Sequence, residues 1–489
     1  MDNFTPVIFT LSKKDRAPFK GPDNNITSYP IKDIVDNKYL RIQKADLPQV
    51  SESQVVRHFT NLSVKNHHVD KNFYPLGSCT MKYNPKINDK IAMLSDFAHI
   101  HPNQENTKDI QGILEVYYTL GKYLCEITGM HKITLQPSAG SQGELVGLLL
   151  MKKYHEMHNN ADKKYIIIPK TAHGTNPASV IMSGYFVKQV RSDNRGRVCV
   201  EHLKELVDEQ TAGMMLTQPN TLGLFEDNIE EICDIIHSVD GLMYMDGANL
   251  NALVGMVSPC KMGFDITHIN LHKTFSTPHG GGGPGAGPVA VNKKLSDYLP
   301  TPIVESDDSI FYFKDLEHSI GKVHSFFGNY GVLLRAYVYI LSLGKEGLKE
   351  VSQKAVLNAN YLKSLLMESY DVPYSEGTMH EFVISAEKQK KKGLKALDIA
   401  KNLLDYGFHS PTVYFPINVP ESIMIEPTET ETKETLDSFS EKMQYMHENI
   451  DSKLEYFKEA PYHTPVRRLN EAKANRELDV KWKKDIDAI

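Results

Sequence analysis

The chain has 489 residues, of which 41% are apolar and 24% charged, with a net charge of −6. That is the composition of a globular protein, and so small a charge implies no nucleic-acid-binding surface. No apolar run reaches the roughly 18 residues needed to span a membrane.

Residues 1–95 read as an extended N-terminal arm, with turn formers and charges alternating and little periodicity. Its first residues carry neither the apolar run of a signal peptide nor the basic, acid-poor pattern of a transit peptide. Near its end, NFYPLGSCTMKYNP (72–85) mixes aromatics with Pro, Gly, Ser and Asn. A loop of that composition is expected to be ordered against something. The five cysteines (Cys79, Cys125, Cys199, Cys233 and Cys260) are scattered without a CxxC pair. No metal site or disulfide framework is expected, and a cytoplasmic location is the simplest reading. Cys79 stands either as a redox-sensitive thiol or as an unreactive cysteine in an ordered loop.

Residues 96–330 read as an α/β domain. Helical spacing over 143–157 and 228–239 alternates with short apolar runs at 165–169, 213–217, 242–246, 265–270 and 288–291. Each run is bounded by turn residues, as buried parallel strands are. A mostly parallel sheet with helices on both faces is expected, with ligands beyond the carboxyl ends of its strands. Residues 331–460 read as a smaller α+β C-terminal domain, with helical patterns at 332–342, 347–369, 396–407 and 431–447 and apolar runs at 380–385 and 422–427. A charged tail, 461–489, carries the only Trp, Trp482, which is expected to dock.

Several strand ends carry polar residues with chemical potential. LQPSAGSQGE (135–144) opens a long helix. The backbone N–H groups of Ala139, Gly140, Ser141 and Gln142 make either an anion site or an ordinary helix cap. In IIIPKTAHGTNPAS (166–179), His173 is either a ring-stacking residue or a plain hydrogen-bonding one. Asn220 and Thr221 follow the run at 213–217, in place to reach an oxygen of a bound cofactor or the substrate. In LMYMDGAN (242–249), Asp246 ends a strand, either capping a turn or serving a ligand, and Ala248 is small enough to lie under a flat ring. Lys273 lies between the run 265–270 and Gly280–Gly283, beside His272. It suits either imine formation, which desolvation favours by disfavouring the ammonium form, or simple anion binding. The glycine run is not a P-loop, because the lysine precedes it.

The order decides between these alternatives. A phosphate loop, a stacking residue, a strand-end acid and then a lysine, in one α/β domain, resembles the aminotransferase-like (fold type I) pyridoxal-phosphate (PLP) enzymes. Such enzymes need a lysine for the Schiff base, an acid at the pyridine nitrogen, cover for the ring and a cradle for the phosphate.

The phrases NFYPLGSCTMKYNP, ITGMHKITLQPSAGSQGE, AHGTNPAS, TQPNTLGLFE, YMDGANLNALVG, GFDITHINLHKTFSTPHGGGGPGAGP, MHEFVIS and IEPTETET resemble the glycine cleavage P-protein family. The match is to its C-terminal-half subunit. The resemblance implies decarboxylation of glycine on PLP and transfer of the aminomethyl group to a lipoylated H-protein. It also implies a heterotetramer with two copies each of this subunit and P-protein subunit 1. On this resemblance Lys273 carries the Schiff base, Asp246 the pyridinium and His173 the ring face, while His272 resembles the histidine of the His-Lys pair in PLP decarboxylases. Loop 72–85 and the segment His279–Gly283 are expected to line a channel for the lipoyl arm. The absence of any arginine in 380–432 argues against an aminotransferase, which normally binds its substrate carboxylate through one.

Overall fold

The computed structural model describes residues 5–14, 16, 27–43, 45–104, 106–280 and 285–482. The chain forms two compact units, one of residues 1–68 with 460–489 and the other of residues 69–459. In the first, Gln54 Oε1 accepts the Ser51 N–H at 3.1 Å, at the start of a helix over Glu52–Ser63. Trp482 docks there by stacking on Phe9, ring centroids 4.3 Å apart.

The larger unit is built on a seven-stranded sheet. Its strands are β1 (Lys132–Thr134), β2 (Tyr165–Pro169), β3 (Phe186–Val190), β4 (Thr211–Thr217), β5 (Leu242–Gly247), β6 (Ile266–Ile269) and β7 (Val289–Val291). They lie in the order β1-β7-β6-β5-β4-β2-β3. The five strands from β3 to β6 are parallel, whereas β7 and β1 join antiparallel at one edge. Alternate residues of the central strands enter opposite cores. Met243 and Met245 pack in one core, while Leu242 and Tyr244 meet Val146, Leu148 and Leu150 in the other. Burial on both faces is why these strands read as unbroken apolar runs.

The helices that frame the site are α1 (Gln111–Thr128), α2 (Gly140–Met157), α3 (Thr175–Met182) and α4 (Ile229–His237). After a hairpin of β8 (Ile303–Asp307) and β9 (Ile310–Lys314) comes α5 (Tyr330–Leu366). Gly344 (φ 61°, ψ −170°) breaks α5 between the two helical patterns seen in the sequence. A second sheet, order β10-β12-β11, is wholly antiparallel and consists of β10 (Phe382–Ser385), β11 (Thr412–Val413) and β12 (Ser422–Ile425). Helices α6 (Ala396–Asp405) and α7 (Lys433–Glu448) share its core. Loop 72–85 belongs to this unit, and Leu76 forms a bridge to Ile425 of β12. No helix among the described residues is long and apolar enough to cross a membrane.

Candidate active site

Strand β6 ends at Ile269, and a turn closed by Lys273 N–H to Asn270 O (3.0 Å) presents Lys273 at the sheet's carboxyl edge. The lysine Nζ donates to the carbonyl of Ser78 at 2.9 Å, which brings loop 72–85 onto this edge.

Asp246 stands on the neighbouring strand, in register with His268 of β6. It is 3% exposed, so its charge state depends on its partners. Oδ1 accepts the Ala248 N–H at 2.9 Å and lies 3.4 Å from His268 Nε2, and Oδ2 accepts from Asn176 Nδ2 at 3.1 Å. Burial pushes this carboxyl up, but His268, the Ala248 N–H, Asn176 and Lys273 together outweigh it and hold the group below its ordinary value. His268 is fixed in turn by Tyr244, whose hydroxyl lies 2.6 Å from Nδ1. Asp246 therefore stays ionised at the strand end, as a partner for a protonated ring nitrogen must.

His173 lies in the loop before α3, exposed at its surface. Its Nδ1 is 2.9 Å from Thr175 Oγ1, and its ring meets Phe415 edge-on at 6.1 Å. Burial of part of the ring lowers its pKa, while Asp246 raises it and Lys273 lowers it, so all three residues share one field. Thr175 and Ser179 of α3 donate to Glu144 of α2 at 2.7 and 2.9 Å. Burial, then the nearby Asp246 charge, pushes Glu144 up to about 7.

The start of α2 fits an anion. Ala139 caps the helix without any side-chain hydrogen bond to its first N–H groups. A Cβ at Gly140 would fall 2.4 Å from Asn270 Oδ1, and one at Gly287 would fall 2.1 Å from the Ala139 carbonyl. These glycines let the helix start press against the turn that carries Lys273. Asn270 Oδ1, His272 Nδ1, Thr274 Oγ1 and Thr277 Oγ1 on that turn are buried without a protein partner. An uncapped helix N-terminus, an ionised strand-end acid, a lysine and unpartnered polar atoms together fit the phosphate, ring nitrogen and aldehyde of PLP.

Other candidates are engaged elsewhere. Gln142 spends its side chain on Ser138 and the Val323 carbonyl. Asn220 donates to Gly196 O and Glu226 and accepts from Leu222 and Leu224, which uses all its hydrogen-bonding capacity to hold its own loop. Thr221 donates to the Thr171 carbonyl. Ser141 is exposed and Ala248 half-buried. His272 packs edge-on against His279, and burial keeps both neutral, at about 3 and about 4. Cys79 Sγ lies 3.9 Å from His279 Nδ1. Burial pushes its thiol up against the Lys273 charge, which leaves it a poor thiolate. Gly281–Gly283 lie outside the described residues.

Sequence reasoning missed His268, Asn176, Glu144 and Ser78, and it missed a buried group of His380, Glu381 and Glu426 beside Ser78. It also missed Lys82, which loop 72–85 buries against Glu429 (2.7 Å), Asn251 (2.9 Å) and Tyr339 (3.2 Å). The only signals for the buried group were the phrases MHEFVIS and IEPTETET, whose chemistry the alternating pattern did not reveal.

Residues 24–309 match the family model "Glycine cleavage system P-protein", and residues 351–464 match "Glycine dehydrogenase, C-terminal domain". The chain is 51% identical over 486 residues to the probable glycine dehydrogenase (decarboxylating) subunit 2 of Caldanaerobacter subterraneus subsp. tengcongensis, covering 99% of this chain and 100% of that protein. It is also 51% identical to the protein of the same description from Bacillus licheniformis, over 98% of this chain and 99% of that one. In fold it resembles an inhibitor-bound glycine decarboxylase (P-protein), with a TM-score of 0.72 at 20% identity over 85% of this chain and 94% of the other. A glutamate decarboxylase from Lactobacillus brevis follows at TM-score 0.65 and 13% identity, over 86% of this chain and 97% of that one.

Proposed function

Because this chain belongs to the glycine cleavage P-protein family, a family of PLP-dependent glycine dehydrogenases (decarboxylating), we propose that it is the lysine-bearing subunit of a split, two-subunit enzyme. Its reaction is decarboxylation of glycine with transfer of the aminomethyl group to the lipoyl disulfide of an H-protein. Its partner is a subunit 1, with two copies of each in the assembly, and its compartment is the cytoplasm. The partner reading rests on the "subunit 2" in the relatives' names.

The observation that carries the reading is the pairing of Lys273 with Asp246 on adjacent strand ends, within one electrostatic field. Lys273 Nζ would take the cofactor's aldehyde, and Asp246 would hold a proton on its ring nitrogen. His173, with Ala248, would bound the ring, and the N–H groups of Ala139, Gly140, Ser141 and Gln142 would hold its phosphate. Bound there, the cofactor supplies an electron sink for the pair left on the glycine α-carbon as carbon dioxide departs. His272, neutral beside the lysine, suits proton acceptance better than donation. Loop 72–85, tied to Lys273 through Ser78, would shield the reacting carbon from water.

The test is exchange of labelled carbon dioxide into glycine by the purified chain with subunit 1, PLP and lipoylated H-protein. Exchange is expected, together with a visible absorbance that borohydride fixes onto Lys273. A colourless complex that takes up no PLP would overturn the reading.

A further inference from the structure

The proposed reaction needs a proton that Asp246, His272 and His279 do not supply. Joining the glycine-derived one-carbon fragment to one sulfur of a disulfide forms a C–S bond and breaks the S–S bond. The carbon is oxidised and the disulfide reduced. The S–S electron pair ends on the second sulfur, which takes up one proton to become a thiol. Asp246 is held ionised, and His272 and His279 stay neutral down to about pH 3 and 4.

A second cluster lies across Ser78. The Ser78 carbonyl accepts from Lys273, and its N–H donates to Glu381 Oε2 at 2.6 Å. Glu381 immediately precedes β10 and Glu426 immediately follows β12. The antiparallel pairing Phe382↔Ile425 sets these two residues opposite each other. His380, Glu381 and Glu426 are all 0% exposed, with a ring nitrogen of the histidine and one carboxylate oxygen of each glutamate within 4.8 Å of one another. His380 Nε2 is 3.8 Å from Glu381 Oε1 and 4.0 Å from Glu426 Oε1. Two carboxyls this close in a dry site cannot both ionise, so they share a proton.

Hydrogen bonding indicates where that proton sits. Both Glu381 oxygens accept N–H groups, Oε2 from Ser78 and Oε1 from Asn249 (3.2 Å), which suits a carboxylate. Both Glu426 oxygens and both His380 nitrogens are buried without a partner. Burial raises both carboxyls against the pull of Lys273 on each, Glu426 to about 7 and Glu381 well above its ordinary value, where the neighbouring Glu426 charge adds to burial. The two N–H donors on Glu381, and none on Glu426, are the ground for leaving the charge on Glu381. Glu426 also faces the Thr80 hydroxyl and Lys82, which lower it, and Glu429, which raises it. His380 is lowered by burial and by Lys273, and is neutral. Ser78 (φ 63°) and Thr428 (φ 66°) flank the cluster in the left-handed region, where non-glycine residues store strain that functional sites tolerate.

We propose that Glu426, backed by His380 and Glu381, is the acid that protonates the second sulfur as the disulfide opens. The proposal rests on the glycine-to-disulfide reading above.

The experiment uses the reconstituted complex with PLP, subunit 1 and lipoylated H-protein. Difference infrared spectra should show a neutral carboxylic acid whose band shifts in deuterium oxide and vanishes in Glu426→Gln. Single-turnover aminomethyl transfer should slow about 100-fold or more in that variant, in the range of general-acid contributions. The wild-type rate should decline above neutral pH and the variant should lose that decline, and Glu426→Asp should recover part of the rate. The visible spectrum with glycine should be unchanged, which separates proton delivery from cofactor binding. Transfer at the wild-type rate in Glu426→Gln, no neutral-acid band in the wild type, or a stoichiometric metal ion on these three side chains would each overturn the proposal. A wild-type complex that binds PLP but releases no carbon dioxide from glycine would instead overturn the underlying reading, and the proposal with it.

Discussion

Lys273 donates a 2.9 Å hydrogen bond to the carbonyl of Ser78, a residue 195 positions earlier in the chain. The same peptide-bonded residue sends its N–H to Glu381. Loop 72–85 is therefore the link between the large sheet, which positions Lys273, and the small sheet, which positions Glu381 and Glu426.

Replacing Lys273 by Ala should abolish glycine–carbon dioxide exchange while the complex with subunit 1 still assembles. Size-exclusion chromatography and the exchange assay test this together. Retained exchange would remove Lys273 from the chemistry.

Asp246→Asn removes the charge and leaves one carbonyl oxygen, which can still accept from Ala248 in place of Oδ1, while its amide replaces the oxygen that accepted from Asn176. Exchange should fall by at least about 100-fold with PLP still bound, comparable to the loss of one preorganised electrostatic group in other active sites. Absorbance titration of bound PLP checks the second half of this expectation.

Lys82 and Glu429 form a buried ion pair, 1% and 8% exposed at their side chains. Lys82→Met leaves Glu429 buried without its cation and should cost about 3–5 kcal/mol. The double variant Lys82→Met, Glu429→Leu should recover much of that loss. Thermal unfolding of the four proteins in the cycle measures the coupling.

Glu144 gives a pH signature. Its pKa rises from 4.5 unfolded to about 7 folded, through burial first and then Asp246. Between those values the folded chain binds more protons than the unfolded one, so stability falls as pH rises from 4.5 to about 7. Glu144→Gln lacks this loss. Its stability relative to wild type should grow across that window by roughly 3 kcal/mol, from ~1.4 kcal/mol per unit. Melting temperatures taken at the two ends of the window read it out.

The parts of the fold legible in the sequence are those with local causes. LMYMD reads as a strand because both faces of β5 are buried, and Asp246 stands out because that run ends on it. The helix pattern broken near 343–346 corresponds to the left-handed Gly344. The antiparallel attachment of β7 and β1 was not legible, because it depends on pairing between residues far apart in the chain. His268 was missed for a related reason. It sits inside a four-residue strand, and only its register with Asp246 gives it a role. His380, Glu381 and Glu426 were visible as letters, but β10 and β12 had to pair before they met. Asn220 shows the converse, since a strand-end position suggested a ligand contact while its four hydrogen bonds go to its own loop and its neighbours.

The Ser78 carbonyl depends on an amine with a competing demand. A Lys273 nitrogen committed covalently to a cofactor cannot hold loop 72–85 in the same way as a free amine. Loading the chain thus loosens one grip on the loop while leaving the Lys82–Glu429 anchor in place. Protease nicking or amide exchange confined to residues 76–80 would then report, without any substrate, what fraction of molecules carries its prosthetic group.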